Sequence, residues 1–496
     1  MTDTSPTMPV DLQWSEIREG VRQVCAEFTN DYWMKLDHAS EYPTDFVKAL
    51  TDAGYLGCLI PEAYGGSGLP LSAGCAVLET IHETGCNAAA CHAQMYTMGT
   101  VLKHGSDEQK KKYLPGIASG ELRLQAFGVT EPTTGSDTTQ LKTRAEKRGN
   151  KYVVNGQKVW TSRVMHSDLM LLLARTTPVD QVKRRTDGLS VFLVDLREAK
   201  GRGVEMKKID AMINHNTCEV FFDNLEVPPD ALIGEEGQGF KYILSSMNAE
   251  RLLISAECLG DAKYFIKRAT DYAKERVVFG NPIGKNQGVQ FPIARAYAET
   301  CAAELLVQKG CALFEAGRDC GAEANMGKML AADAAWKAAE ACLQTFGGFG
   351  YAREYGIERK WRESRLYQTA PISPTLVLAV VGQNILGMPR SYGMKRASRF
   401  MVTGVAAGSG VLLAAAAGWM WVSGLSRSTA GATLSGASLP ASDARPAASL
   451  HTFLHVNCKH HAHGAAWHKD HGRILGAKSR VVADDDEEPE DQRGRR

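Results

Sequence analysis

The spacing of apolar residues changes twice along this chain, and these changes constrain its fold more than any other feature. Apolar residues recur at intervals of three and four from Leu12 to about Ser119, alternate between Leu124 and Pro229, and return to the longer spacing after Gly239. The longer spacing is typical of amphipathic helices, and alternation is typical of half-buried strands. The sequence therefore predicts an α+β protein in which a β domain lies between two helical domains.

We place these domains at residues 10–120, 121–235 and 236–392. The first is a helical N-terminal domain. In the second, the turn signals at 148–150 and at Asn155-Gly156 predict antiparallel strands that form a small barrel or sandwich. The third is predicted to be a C-terminal four-helix bundle. The predicted strands are 152–154, 158–160, 169–173, 189–194 and 219–222, and the bundle helices include 292–316, 322–346 and 375–386.

The composition changes abruptly at about Met394, and residues 393–496 form a tail without the pattern of a packed core. Residues 400–425 carry no charge and follow three basic residues, so their length permits a transmembrane helix. The rest is rich in Ser, Ala and Pro, then in histidine, and ends in an acidic run, which predicts disorder. A membrane anchor, an unrelated fused segment and a reading-frame accident all remain open for this tail.

The charge balance favours small-molecule chemistry, and the cysteine content indicates the compartment. The 57 Lys and Arg residues nearly balance the 56 Asp and Glu residues, so no overall field favours nucleic acid or an anionic membrane surface. The 12 cysteines are scattered without zinc-ligand spacing, which predicts a reducing, cytoplasmic setting and no metal site. The polar, acidic N-terminus shows neither a signal peptide nor a basic transit sequence.

One stretch combines a strand-like start with a turn that exposes many backbone donors. Residues 127–137 read FGVTEPTTGSD, and their short side chains allow the main chain to approach the edge of a flat, polar cofactor. An ordinary surface turn has the same composition. The stretch therefore indicates cofactor binding only where other segments agree with it.

Two motifs, about two hundred residues apart, resemble those of the acyl-CoA dehydrogenase family. The first is GVTEPTTGSD at 128–137, although Thr134 and Gln140 stand where the family has smaller residues. The second is QTFGGFGYAREYGIERKWRE at 344–363. Supporting matches are PEAYGG at 61–66, KVWTS at 158–162, GEEGQGF at 234–240 and ERVVFGNPIGKNQ at 275–287. The resemblance covers roughly residues 10–392 and excludes the tail.

The resemblance implies bound FAD and assigns residues to it. It places Ser136 at the acyl-CoA, and it implies a homotetramer, a dimer of dimers, in which FAD lies across a subunit interface. Considered one at a time, Trp160 also fits a core tryptophan, Arg276 a helix-terminal salt bridge, and Gly347-Gly348 a packing turn. The implied flavin-ring contacts are Phe127, Val129, Thr130, Trp160 and Ser162, and the implied pyrophosphate and adenosine contacts are Arg276, Phe279, Gln287, Gln344, Gly347 and Gly348.

The resemblance also implies a catalytic carboxylate, but at the less common of two positions. Many members carry a Glu shortly after an RDxxxYQ pattern, where this chain reads RESRLYQTAPIS and has Pro371. Members resembling isovaleryl-CoA, long-chain and crotonobetainyl-CoA dehydrogenases instead use a Glu before an Arg on the first bundle helix. That position is Glu250 here, with Asn248 and Arg251 as implied substrate neighbours. Pro371 lacks the backbone N–H that helps the family polarise the thioester carbonyl.

The leading hypothesis is an FAD-dependent acyl-CoA dehydrogenase that forms a trans-2-enoyl-CoA and passes electrons to an electron-transferring flavoprotein. Two alternatives stay open. The first is an oxidase or monooxygenase on the same fold, and the second is a catalytically weak flavoprotein that serves as an assembly partner. The sequence leaves the acyl chain open.

Overall fold

A computed structural model describes residues 13–389. Its N-terminal part is helical, as predicted. The last of these helices shows how the local sequence sets the boundaries: the Ser106 hydroxyl accepts from the Gln109 amide, the Gln109 side chain accepts from the Ser106 amide, and Gly120 ends the helix in the left-handed region. The helices are α1 (Ser15–Cys25), α2 (Asn30–Ala39), α3 (Thr44–Asp52), α4 (Leu71–Glu83), α5 (Ala93–His104) and α6 (Asp107–Ser119).

The central part is a single open sheet with strand order β6-β7-β3-β2-β4-β5-β8, and β1 pairs with β4 outside this path. The barrel form of the predicted antiparallel barrel or sandwich is therefore not confirmed, and the pairing is not wholly antiparallel. No sheet closes within residues 13–389, and β1 runs parallel to β4. The strands are β1 (Ala126–Gly128), β2 (Arg144–Arg148), β3 (Lys151–Ser162), β4 (Leu169–Arg175), β5 (Leu189–Asp195), β6 (Val204–Lys208), β7 (Thr217–Val227) and β8 (Leu232–Ile233), with the short helix α7 (Leu196–Ala199) after β5.

The two predicted turns of this domain have different outcomes. The one at 148–150 is confirmed, because it joins the antiparallel strands β2 and β3. The one at Asn155-Gly156 is wrong, because both residues lie inside β3. A Cβ atom on Gly156 would lie 2.6 Å from the Cα of Thr143. The glycine is needed for this close approach of two chain segments rather than for a turn.

The C-terminal part consists of helices, as predicted, but its fourth helix is short. The helix α8 (Gly239–Glu275) has 37 residues, and it is followed by α9 (Gln287–Glu315) and α10 (Gly321–Phe346). Two short helices, α11 (Ile357–Ser364) and α12 (Pro374–Val380), follow, and α12 continues as a π-helical turn (Val381–Ile385). A two-stranded hairpin, β9 (Val277–Val278) and β10 (Asn281–Pro282), connects α8 and α9.

The longest helix joins the two helical parts. It packs on α9 and α10, and it also packs on α4 and α5 of the N-terminal part. One hydrophobic cluster contains residues from all of these helices. No helix within residues 13–389 is long and apolar enough to cross a membrane. The predicted apolar segment 400–425 and the remainder of the tail lie outside the described residues.

Candidate active site

The segment after β1 is fixed to β3 by main-chain and side-chain hydrogen bonds. The Thr130 carbonyl accepts from the Val159 amide at 2.9 Å, and the Val129 carbonyl accepts from the ammonium group of Lys158 at 3.0 Å. Phe127 lies in β1 opposite Leu171 of β4. The structure therefore brings the predicted residues Phe127, Val129 and Thr130 next to the strand that carries Trp160 and Ser162.

A buried ion pair, absent from the site predicted from sequence, anchors this segment. Lys158 is fully buried, and its Nζ lies 2.9 Å from the Oε1 of Glu131. The same carboxylate accepts from the backbone amides of Lys142 and Thr143 at 2.6 and 2.9 Å. Burial lowers the pKa of Lys158 to about 8. Burial alone would raise the pKa of Glu131, but the Lys158 charge and the amide donors lower it overall, which favours the ionised carboxylate.

Trp160 projects from the sheet because β3 is irregular at this point. The pairing of β3 with β7 shifts between Lys158 and Thr161, and Trp160 has a φ of 60°. Its side chain is 59% exposed, which is unusual for tryptophan. The buried hydroxyls of Thr134 and Thr161 have no hydrogen-bond partner in the described chain. An exposed indole offers an apolar face to a flat ring, such as that of a flavin, and buried hydroxyls without a partner need a donor or acceptor.

Glu250 is a buried carboxyl group on α8. It is 7% exposed and forms no ion pair within the described residues. Burial raises its pKa to about 7, although the neighbouring charge of Arg251 and the hydroxyl of Tyr96 act in the opposite direction. A carboxyl group with a pKa near neutrality is suited to general-base catalysis at physiological pH. The predicted base thus has the required electrostatic environment.

The two predicted neighbours of Glu250 contact each other. The Nη1 of Arg251 donates to the Oδ1 of Asn248 at 3.0 Å, and both side chains are partly buried. Burial lowers the pKa of the Arg251 guanidinium, and the nearby Glu250 charge partly compensates. Asn248, Glu250 and Arg251 therefore form one group on α8. Ser136 is exposed in the turn after β1.

The segment that contains Pro371 offers few backbone donors. The amides of Thr369 and Ala370 both donate to the Leu366 carbonyl, and Pro371 has no N–H. Lys328 of α10 holds this segment by donating to the carbonyls of Tyr367 and Ile372 at 2.5 and 3.0 Å.

The predicted pyrophosphate and adenosine residues form a separate group at the other end of α8. Glu250 and Arg276 are 26 residues apart (276 − 250), which corresponds to about 39 Å along a helix. The Arg276 guanidinium lies 5.7 Å from the centre of the Phe349 ring, which brings together the α8–α9 connection and the end of α10. All six residues of this group are exposed, and Phe279 is 100% exposed. The group comprises Arg276, Phe279, Gln287, Gln344, Gly347 and Gly348.

Comparison with known proteins agrees with this geometry in all three parts of the structure. Residues 13–121, 126–225 and 237–370 match the N-terminal, middle and C-terminal domains of acyl-CoA dehydrogenase. The chain is 33% identical over 395 residues to the acyl-CoA dehydrogenase fadE12 of Mycobacterium bovis, which covers 79% of this chain and 100% of that protein. This chain belongs to the acyl-CoA dehydrogenase family.

Two further similarities support the same assignment. An acyl-CoA dehydrogenase of Bacillus subtilis is 35% identical over 355 residues, which is 71% of this chain and 92% of that protein. A structure of glutaryl-coenzyme A dehydrogenase with glutaryl-CoA superimposes with a TM-score of 0.71 at 29% identity, and the match covers 76% of this chain and 95% of that one. The chain is an oxidoreductase that acts on the CH–CH bond of an acyl-CoA, and the family depends on FAD.

Proposed function

We propose that this acyl-CoA dehydrogenase converts an acyl-CoA thioester into a trans-2-enoyl-CoA and that Glu250 is its catalytic base. The observation that carries the proposal is the environment of Glu250, a buried carboxyl group with a pKa raised to about 7. An α-proton of a thioester is weakly acidic, so the base must be ionised yet poorly solvated. Glu250 meets both requirements near neutral pH.

The segment after β1 and the irregular part of β3 would hold the flavin ring. Phe127, Val129, Thr130, Trp160 and Ser162 are the residues that we assign to this contact. When bound, FAD supplies the acceptor for the hydride that leaves the β-carbon. The buried pair of Lys158 and Glu131 would keep the backbone of this segment rigid, so its amides and carbonyls are already oriented before the cofactor arrives.

The side chains around Glu250 would orient the thioester. Ser136 would meet the acyl-CoA, while Asn248 and Arg251 would shape the space beside the acyl group. Glu250 would receive the α-proton on its carboxylate. Because Pro371 lacks an N–H, polarisation of the thioester carbonyl would depend on donors outside this position.

We further propose that a second copy of the chain completes the FAD site and that an electron-transferring flavoprotein accepts the electrons. The support for a second copy is the separation of about 39 Å along α8 between the two groups of predicted site residues. The exposed side chain of Phe279 gives additional support. Val277, Val278 and Phe279 are three consecutive exposed apolar residues, and contiguous exposed apolar surface is typical of an interaction site. A dimer of dimers would satisfy both observations.

The experiment that tests the reaction is anaerobic mixing of the purified yellow protein with a panel of acyl-CoA thioesters. We expect loss of the flavin absorbance with at least one thioester. In steady state, kcat/KM should rise with pH through a midpoint of about 7, because only the ionised form of Glu250 accepts the proton. Rapid reoxidation by oxygen would favour an oxidase or monooxygenase. A yellow protein that no thioester bleaches would favour the catalytically weak flavoprotein.

The proposed assembly predicts a specific effect at Phe279. We expect Phe279→Asp to lower the mass of the native particle and to release FAD, because a carboxylate would be buried at the interface without a partner. Size-exclusion chromatography with light scattering and the ratio of flavin to protein absorbance measure both effects. Val179→Asp, at an apolar position that is half-exposed, serves as the control and should change neither. An unchanged mass and full flavin content in Phe279→Asp would contradict the assembly.

A further inference from the structure

Polar side chains connect α5 and the residue before it to α8 at two places. The Thr100 hydroxyl donates to the Ser246 hydroxyl at 2.9 Å, and the Nδ1 of His92 lies 2.7 Å from the Oε1 of Glu257. The lower-numbered residue, His92, contacts the higher-numbered residue of α8, Glu257, and Thr100 contacts Ser246. The two helices are therefore antiparallel. The two contacts therefore define the register of one helix against the other.

This register places Tyr96 opposite Glu250. Tyr96 lies one helical turn from both Thr100 and His92, and Glu250 lies one turn after Ser246. Residues four apart occupy the same face of a helix. Both side chains are buried, with 8% of Tyr96 and 7% of Glu250 exposed. The Tyr96 hydroxyl and the Glu250 carboxylate thus face each other between the two flanking contacts.

We propose that Tyr96 is the positioning residue that orients the Glu250 carboxylate for removal of the α-proton. The inference rests on the proposed role of Glu250 and adds a residue that neither the sequence motifs nor the family resemblance singles out. A phenol hydroxyl that donates to one oxygen of this carboxylate leaves the other oxygen free to accept the α-proton. A rigid ring with a single donor achieves this with little conformational freedom.

Charged groups on several elements shift the pKa values of Tyr96 and Glu250. Burial and the Glu250 charge raise the pKa of Tyr96, Arg163 after β3 lowers it, and Glu257 on α8 raises it. His92, the residue before α5, lies 2.7 Å from Glu257. Arg251, on the same helix as Glu250, lowers the pKa of that carboxyl. Tyr96 is the residue on α5 whose hydroxyl reaches Glu250 and favours its ionised form.

The test is the pH profile of Tyr96→Phe. Removing the hydroxyl removes a donor to the ionised carboxylate, so the pKa of Glu250 should rise. We expect the ascending limb of kcat/KM to move upward by about one pH unit, with about tenfold lower activity at pH 6 and nearly full activity at pH 9. A second readout is the rate at which the enzyme exchanges the α-protons of an acyl-CoA with D2O, followed by proton NMR. This rate should show the same shift.

Tyr367→Phe is the matched control, because the buried Tyr367 hydroxyl donates to Glu257 and not to Glu250. Its profile should coincide with that of the wild type. If the wild type is active and Tyr96→Phe has full flavin content but an unshifted ascending limb of kcat/KM, the role of Tyr96 is wrong. That result would leave the role of Glu250 intact. If the wild type neither bleaches nor exchanges α-protons with any thioester, the role of Glu250 fails and that of Tyr96 fails with it.

Discussion

We expect Glu250→Gln to lower kcat/KM for acyl-CoA oxidation by about a thousandfold while the protein retains its flavin. Glutamine has nearly the same shape as glutamate, but its amide cannot accept the α-proton. No other described carboxylate is expected to replace it, because the alternative family position holds Pro371. Anaerobic stopped-flow measurement of flavin bleaching gives the rate directly, and the visible spectrum reports whether FAD is bound.

Asp271→Asn provides the matched control for this variant. Asp271 lies on the same helix and forms a surface ion pair with Lys267, so its change removes a carboxylate without affecting the site. Its activity should match that of the wild type. If Glu250→Gln bleaches at the wild-type rate, the base is a different residue and our assignment is wrong.

The same variant should be more stable than the wild type at neutral and alkaline pH. The pKa of Glu250 is raised from 4.5 to about 7. The folded state therefore loses stability as pH rises through this window, because the unfolded chain ionises first. Above pH 7 the loss approaches about 3 kcal/mol. Unfolding of both proteins at pH 4.5 and pH 8 measures this, and the gain from Glu250→Gln should be confined to the higher pH.

The second large effect is expected at Lys158. Lys158→Met leaves the Glu131 carboxylate buried without its cation, which costs about 3–5 kcal/mol of unfolding free energy. The Val129 carbonyl also loses its side-chain donor. Because this segment is assigned to the flavin, we expect the FAD dissociation constant to rise by at least about tenfold, a change of about 1.4 kcal/mol. Chemical denaturation and flavin titration measure the two quantities.

Two further variants separate the cost of the unpaired Glu131 charge from the loss of the donor to the Val129 carbonyl. Lys151 lies on the same strand and pairs with Glu226 on the surface, so Lys151→Met should cost less than about 1 kcal/mol. The double change Lys158→Met with Glu131→Gln removes the unpaired charge, so it should recover part of the lost stability. Weak FAD binding should persist in the double variant, since Val129 remains without its donor. Wild-type affinity in Lys158→Met would show that the pair does not support the cofactor site.

Local sequence was sufficient for the type of each block but not for the shape of the sheet. Short β-rich runs identified the segments that became β3, β4, β5 and β7, and in β4 and β5 almost every residue is buried, which is typical of strands covered on both faces. The parallel pairing of β1 with β4 could not be anticipated, since strand pairing depends on contacts between distant segments. Gly156 shows the same limit: its turn-like dipeptide lies in β3 because the chain near Thr143 passes too close for a side chain.

The site divides in a similar way. Glu250 was identified from its position before Arg251 in a motif, and the structure adds that it is buried and that its pKa is near 7. Lys158 lies in the segment KVWTS, where nothing in the local sequence distinguishes it from a surface lysine, and only the fold supplies the partner that a buried lysine needs. Tyr96 carried no signal in the sequence. Its relation to Glu250 follows from the antiparallel register of α5 and α8.

The sequence by itself determined the order of helical and β segments, the family motifs and the identity of the candidate base. These properties depend on residues that are close together in the chain, and short-range periodicity and motif spacing record them. Only the tertiary structure decided that the sheet is open, that Lys158 and Glu131 form a buried pair, and that Tyr96 faces Glu250. Each of these depends on the packing of segments far apart in sequence, which sets burial, and burial sets the pKa of the group that would perform the reaction.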